Sequence, residues 1–287
     1  MNAVQQAYLA IGGSVLMHVA WNLLVRQQHG KTQLLWWALA THCLILGPWA
    51  IHALVTEAHW TPALQLSLVV SAASNTFYFL VLNRAYAHAP VALVYPIARS
   101  SPLLIALWGA MFFGEVLAGP VWAALAVIVA GLVLLAATAW RGGAAAAVPL
   151  ALAAALATSV YSLSDKLATQ HLPSFASLLG FISIGYACSW LALTLQLRRT
   201  EGIWRPRAMP RAPYLLIAGL CIGSAYALVI HAMRGLPAAE VVGFTNAGIV
   251  VAGVLSMSVF RERAHWPTRL AGIAVICVGL TLLAVGR

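Results

Sequence analysis

Charged residues are scarce in this chain, and acidic residues are the scarcest of them. Only 8% of the 287 residues are charged, and only six are Asp or Glu. A soluble domain carries about 25% charged residues, so the chain lacks the polar surface that a water-soluble fold needs. Hydrophobic residues make up 62% of the chain. The composition therefore predicts an all-α, polytopic membrane protein.

The shortage of acidic residues and cysteines also excludes several kinds of active site. No two Asp or Glu residues lie at helical spacing within an apolar run, as acid–base catalysis would require. All four cysteines lie inside apolar runs and lack metal-ligand spacing, which is typical of reduced interior residues. They are Cys43, Cys188, Cys221 and Cys277. We therefore expect no enzymatic activity, no cofactor and no metal.

The net charge of +10 does not indicate a nucleic-acid-binding protein, because the arginines cluster between the apolar runs. Positive charge in such loops sets membrane topology and meets anionic lipid headgroups. We expect a small-molecule substrate and membrane lipid as partners, and no nucleic acid. The oligomeric state is open, with a monomer as one possibility.

Ten apolar runs are long enough to cross a hydrocarbon core of about 30 Å. The predicted spans are 5–25, 33–55, 64–83, 91–113, 119–139, 145–167, 175–197, 213–233, 238–260 and 267–285. Most of the breaks between them are short, which indicates hairpins of neighbouring helices.

The chain repeats itself at an offset of about half its length. Pro90 and Glu115 are separated by 25 residues, as are Pro237 and Glu262. Farther along, 126–136 aligns with 274–284, and eight of the eleven positions are identical. The unit is thus five spans, with 1–140 as the first copy and 141–287 as the second. Because five is odd, the second copy must cross the membrane inverted, as in many transporters with a site near the midplane.

These features resemble an EamA-type transporter of the drug/metabolite transporter superfamily. The sequence motifs most typical of this family are Ala-His-Ala-Pro-Val-Ala at 87–92 and Phe-Phe-Gly-Glu at 112–115. The resemblance implies a ten-helix fold with a cavity lined mainly by spans one, three, four, six, eight and nine. It also implies transport of small metabolites, often outward, in a protein of the bacterial inner membrane. Span one lacks the acidic residue of small multidrug-resistance relatives, which disfavours a cationic-drug/proton antiporter.

Arg99 is the most informative residue, because a charge near the middle of a span is costly. Its mate in the second repeat is Asn246, and the helix breakers Pro96 and Gly243 each precede these residues by three positions. We interpret Arg99 as binding a carboxylate or phosphate-like group, with Asn246 as a second hydrogen-bonding group and Tyr95 one turn away. Alternatively, Arg99 is structural and bonds backbone carbonyls and Asn246.

Further polar residues share helix faces in other spans. His18, Trp21 and Asn22 in span one, and Asn75 and Tyr78 in span three, are predicted to line the cavity, with Tyr226 as the mate of Tyr78. The alternatives are a local His–Asn contact with an interfacial Trp, and hydrogen bonding between helices.

Asp165 and His18 are the candidates for proton coupling. Asp165 could also be an interfacial residue at a helix end beside Lys166.

The predicted function is secondary, non-ATP transport of a small polar metabolite, amino-acid-like or anionic, by alternating access. The direction is export or exchange. The alternatives are a flippase for a lipid-linked carrier or a non-transporting membrane subunit, and, with least support, an intramembrane enzyme. Positive charge in the loops after odd-numbered spans puts both termini outside, whereas the family resemblance puts them inside. Both interpretations place the termini on one side.

Overall fold

The computed structural model describes residues 2–28, 33–140, 144–258 and 265–286, without the side chains of 22, 25–28 and 256. All regular structure in these ranges is helical. The α-helices are α1 (Ala3–Gln28), α2 (Leu34–Ile45), α3 (Gly47–Glu57), α4 (Pro62–His88), α5 (Val91–Ala98), α6 (Ser101–Phe113), α7 (Gly119–Ala137), α8 (Ala147–Ala168), α9 (Phe175–Glu201), α10 (Ala212–Ala232), α11 (Ala238–Thr245), α12 (Ala247–Ser258) and α13 (Trp266–Val285). Short 3₁₀ turns flank α8, at Ala144–Ala146 and Thr169–His171.

Eight helical segments in the described ranges are long and apolar enough to cross a membrane. They are Pro62–His88, Val91–Phe113, Gly119–Ala137, Ala144–His171, Phe175–Glu201, Ala212–Ala232, Ala238–Leu255 and Trp266–Val285. The number is nine if α2 and α3, which meet at a bend of 56°, form one span. A polytopic all-α membrane protein is thereby confirmed. The first predicted span, 5–25, corresponds to α1, which is not among these candidates.

Two of the predicted spans are broken helices. The span after Pro90 divides at Arg99 and Ser100, between α5 and α6. Pro96 lies inside α5, where its missing N–H and its ring weaken the preceding turn of the helix. The span after Pro237 divides at Asn246, between α11 and α12. Each break therefore falls on the polar residue itself, three positions beyond the predicted helix breaker.

The chain divides into two compact units. The first unit comprises Met1–Leu80 and Ser164–Gly235, and the second comprises Val81–Leu163 and Leu236–Arg287. Each unit combines chain from before and after residue 140. The predicted boundary at residue 140 separates two sequence repeats, and the division into compact units does not test that boundary.

The first unit is built by α1 packing on α10, α3 on α9, and α2 on both α9 and α10. Small residues allow the close approaches. Gly180 of α9 lies directly against the backbone carbonyl of Ala50 in α3. Gly223 of α10 leaves the space that the buried ring of His42 in α2 occupies, and Gly219 leaves space for the neighbouring Thr41. The His42 Nε2 atom lies 3.0 Å from the Ser183 hydroxyl, so this lone histidine is a packed core residue.

In the second unit, α7 and α13 cross with reciprocal contacts. A methyl group added at Gly131 of α7 would lie 2.6 Å from Ile276 Cγ1 of α13. One added at Gly279 of α13 would lie 2.6 Å from Ile128 Cγ1 of α7. Gly131 aligns with Gly279 in the repeat, and Ile128 aligns with Ile276. Equivalent glycines of the two repeats thus each contact the equivalent isoleucine of the other helix.

Candidate functional site

In the second unit, Arg99 contacts the end of α11. The Arg99 Nη2 atom donates to Thr245 Oγ1 at 2.9 Å and to the Thr245 carbonyl oxygen at 3.3 Å. The Thr245 hydroxyl donates in turn to the carbonyl of Val242 at 2.7 Å, so it accepts from the arginine. The guanidinium carbon also lies 5.8 Å from the centre of the Tyr95 ring, a cation–π distance. The break of α5–α6 is thereby tied to the break of α11–α12.

Part of the hydrogen-bonding capacity of this site is unused within the described part of the chain. The Nε atom of Arg99 is buried and makes no hydrogen bond there, and both of the guanidinium's bonds come from Nη2. The side chain of Asn246 is fully buried, and neither its Oδ1 nor its Nδ2 atom has a described partner. Since a buried amide without partners is unfavourable, the pair can accommodate a polar group. Arg99 itself bonds the neighbouring Thr245 and not Asn246.

The two predicted helix breakers differ in what they do. Pro96 is buried within α5 and precedes the break. Gly243 lies within α11, where an added methyl group would come 2.9 Å from Leu125 Cδ2 and 3.0 Å from Leu283 Cδ2. Gly243 therefore allows α11 to approach α7 and α13 closely.

In the first unit, Asp165 forms a second buried polar group. Its side chain is only 1% exposed. The Oδ2 atom accepts a hydrogen bond from the Tyr226 hydroxyl of α10, and the Ser71 side chain of α4 lies near the carboxyl. This burial is unlike that of an interfacial residue at a helix end. The three side chains join α8, α4 and α10.

Asn75 and Tyr78 of α4 have different surroundings. Asn75 Oδ1 accepts a hydrogen bond of 3.2 Å from Ser189 of α9, and its side chain is buried. This contact is the helix–helix hydrogen bond that was the alternative to cavity lining. Tyr78 is partly buried and lies edge-on to Phe79 at 5.1 Å between ring centres.

On α1, the predicted polar stripe forms a local contact. The Trp21 Nε1 atom donates to His18 Nδ1 at 3.1 Å, one helical turn away. The Asn22 side chain, also predicted to line the cavity, lies outside the described residues.

Three residues were not among the predicted site residues. Thr245 accepts from Arg99, Tyr86 of α4 lies near Arg99 and Tyr95, and Ser71 lies near Asp165. Ser71 lies on the polar face of span three, so the sequence held a signal for it. Thr245 lies within a predicted span without such a pattern, and Tyr86 lies between the predicted spans 64–83 and 91–113. In the described ranges, no three His, Cys, Asp or Glu side chains are placed to hold a metal ion.

The helical spans and buried polar groups are those of a multi-pass membrane protein with an internal polar site. Residues 5–137 match the EamA-like transporter family. Over these residues the match confirms the resemblance to an EamA-type transporter of the drug/metabolite transporter superfamily, a family of membrane transporters.

A solved structure, described only as the crystal structure of a protein, has the same fold. Its TM-score is 0.74 at 22% sequence identity, over 97% of each chain. No curated protein matches the chain.

Proposed function

We propose that this protein is a secondary transporter of a small polar metabolite that carries an acidic group, such as an amino acid or an organic anion. Transport is by alternating access without ATP, and the protein exports or exchanges its substrate. The observation that carries this proposal is the Arg99 site. Within the described part of the chain, it combines a guanidinium whose buried Nε atom has no partner with the Asn246 amide, which has none either.

The chemistry of the site suits a carboxylate. A carboxylate oxygen can accept from a guanidinium in a charge-assisted hydrogen bond, which is stronger than a neutral one. The Asn246 amide can donate to a second oxygen or accept from an amino group, because it has both kinds of atom. Breaks in membrane helices are tolerated where protein or a cavity covers them, and transporters bind substrates at such breaks. Tyr95, beside Arg99, adds an aromatic face.

The proposed fold has ten spans in two inverted repeats, 1–140 and 141–287. The α1 helix has 26 residues, about 39 Å at 1.5 Å per residue, which suffices for a tenth span. The reciprocal contacts of Gly131 with Ile276 and of Gly279 with Ile128 are those expected across a two-fold axis, where i meets j and j meets i. The family match ends at residue 137, close to the proposed boundary.

Proton coupling is assigned to Asp165, with His18 as the second candidate. A carboxyl that is 1% exposed and hydrogen-bonded by Tyr226 can change its hydrogen bonding when it gains a proton. As a neutral acid it can donate a hydrogen bond, whereas the carboxylate only accepts. Such a change can favour one packing of α4, α8 and α10 over another.

The proposal is tested with the full chain in proteoliposomes. Radiolabelled amino acids, dicarboxylates and phosphoesters are screened for uptake and for exchange against internal substrate. We expect at least one acidic compound to be transported above protein-free vesicles, and neutral analogues that lack the acidic group to be transported poorly. Absence of flux for every class, or equal flux of the neutral analogues, would count against the proposal. Movement of a lipid-linked sugar instead would favour the flippase.

A further inference from the structure

The loop between α9 and α10 forms a cavity with the start of α2, separate from Arg99 and Asp165. The cavity has a volume of about 620 Å³ and lies within the first unit. It is lined by Trp37, Ile203, Trp204, Arg205, Pro206, Arg207 and Met209. Since α9 and α10 are candidate spans that end and begin at this loop, the cavity lies at one membrane surface.

Contacts within the protein hold the loop in place. Trp37 Nε1 donates to the carbonyl of Ala208 at 3.1 Å, which joins the loop to α2. Pro206 and Pro210 are buried. Arg198 donates to the Gly202 carbonyl at the end of α9. The cavity is therefore built by the fold before any ligand arrives.

The positive charge around this cavity is not neutralised by acidic residues in the described ranges. Five arginines lie in the last turn of α9 and in the loop before α10, against one carboxylate, Glu201. Glu201 accepts from the Gln33 amide at 3.1 Å, and no arginine whose placement is described pairs with it. Four of the arginines are exposed and make no hydrogen bond or ion pair within the described part of the chain. They are Arg199, Arg205, Arg207 and Arg211.

The same loop exposes large apolar side chains. Trp204 is 60% exposed and Met209 is 64% exposed, beside the unpaired arginines. The guanidinium of Arg198 lies 5.4 Å from the Trp204 ring centre, a cation–π distance. Tryptophan at the end of a span is typical of the membrane interface, where its ring contacts both acyl chains and headgroups. A ligand that fits this loop must therefore be anionic at one end and apolar at the other.

We propose that this cavity binds the headgroup of an anionic phospholipid. Arg205 and Arg207 bind the phosphate, and Trp204 and Met209 pack against the glycerol backbone and the first acyl carbons. A soluble phosphoester would satisfy the arginines but would leave Trp204 and Met209 exposed to water. An acyl chain covers them, so the observations favour the lipid. This site is independent of the proposed transport site.

The test measures lipid binding to the purified full-length protein in detergent. Native mass spectrometry follows titrations with dioleoylphosphatidylglycerol and, in parallel, dioleoylphosphatidylcholine. We expect the wild-type protein to bind the anionic lipid more tightly. Arg205→Gln and Arg207→Gln should each weaken that binding about fivefold, the effect of one basic residue near an anionic lipid surface. The matched control Arg84→Gln removes an exposed arginine at the end of α4, which is not part of the loop, and should leave binding unchanged.

Two further measurements separate the lipid from a soluble phosphoester. Trp204→Ala should weaken binding of the anionic lipid, whereas Trp49→Ala, which removes another exposed tryptophan in α3, should not. Added sn-glycerol 3-phosphate should fail to displace the lipid. Undiminished binding in the Arg205 and Arg207 variants would overturn the proposal. So would an equal loss in Arg84→Gln, or displacement by sn-glycerol 3-phosphate. Failure of this site would leave the transport proposal untouched.

Discussion

Arg99 combines a structural contact with unused hydrogen-bonding capacity. Its Nη2 atom binds the hydroxyl and the carbonyl of Thr245, so the side chain has an internal partner for its charge. Its buried Nε atom makes no hydrogen bond among the described residues. The two interpretations of this residue, anchor and binding group, therefore predict different results for its replacement.

Replacing Arg99 by Ala should reduce kcat/KM for an acidic substrate about 100-fold, because a charge-assisted hydrogen bond contributes roughly 1.5–3 kcal/mol. Arg99→Lys should lose less, since it keeps the charge but not the planar fork. The measurement is initial uptake into proteoliposomes, with Arg84→Ala as the matched control and a monodisperse elution profile as evidence of folding. Near-normal transport by Arg99→Ala would identify the arginine as a structural anchor.

Asn246 is expected to behave differently from a core asparagine. Asn246→Ala removes a fully buried amide that has no described partner, so the thermal stability of the purified protein should be unchanged or higher. The apparent KM should rise about tenfold, the value of one hydrogen bond to a charged group, with a smaller effect on the maximal rate. A large loss of stability with unchanged KM would mean that the amide serves the fold.

Asp165→Asn should abolish the dependence of uptake on an imposed proton gradient, because an asparagine amide does not take up a proton in neutral solution as a carboxylate can. Exchange of substrate without a gradient should persist. Glu201→Gln, which neutralises an exposed carboxylate at the end of α9, is the control. If gradient dependence survives in Asp165→Asn, the proton site lies elsewhere, and His18 is the next residue to replace.

At the scale of elements, close packing between helices depends on glycines at a few positions. The α7–α13 pair has no large side chain at Gly131 or Gly279, and each gap admits an isoleucine from the partner helix. Small residues at such crossings allow membrane helices to approach, because dispersion contacts replace the hydrophobic effect in lipid. Because these contacts are reciprocal, replacing either glycine should change the stability of the protein by a similar amount.

Gly131→Ala and Gly279→Ala should destabilise the protein by similar amounts, about 1–3 kcal/mol each, which is the usual range for overpacking. The similarity follows because each methyl group would lie 2.6 Å from the equivalent isoleucine. Gly119→Ala, at the start of α7 with nothing near its added methyl group, is the matched control. Thermal unfolding in detergent measures the effect. A large effect in only one of the two variants would contradict a two-fold relation.

At the scale of the whole molecule, the number of spans decides the sidedness of the termini. Eight or nine spans are candidates by length and composition, and α1 is the proposed addition. An even number of crossings returns the chain to its starting side, and an odd number does not. The bent pair of helices α2 and α3 counts as a single crossing in this proposal.

Ten spans predict that both termini lie on the same side of the membrane. Tags fused before Asn2 and after Gly286 should be digested together, or protected together, when protease is added to sealed vesicles of one orientation. Inverted vesicles should give the opposite pattern for both tags. Digestion of one tag with protection of the other would mean that α1, or the bent α2–α3 pair, does not span.

The helical fold and much of the span pattern are predictable from the sequence, because the hydrocarbon thickness requires long apolar runs. The runs near 64–83, 119–139 and 267–285 correspond to α4, α7 and α13. The breaks near Arg99 and Asn246 were also predictable, since Pro96 and the repeat offset mark them. The family resemblance rested on short sequence motifs, which can be recognised in a single sequence without knowledge of its fold.

The partners of the polar side chains were decided only by tertiary structure. Tyr226 and Asp165 are 61 positions apart, and Arg99 and Thr245 are 146 apart. No helical periodicity relates residues at such separations, because their contact depends on how separate helices cross. The same holds for Trp37 and the loop at 203–209, which form one cavity. The sequence by itself determined a helical membrane protein with a charge in a broken span, because composition and length suffice for that. Which groups meet that charge depended on helix packing.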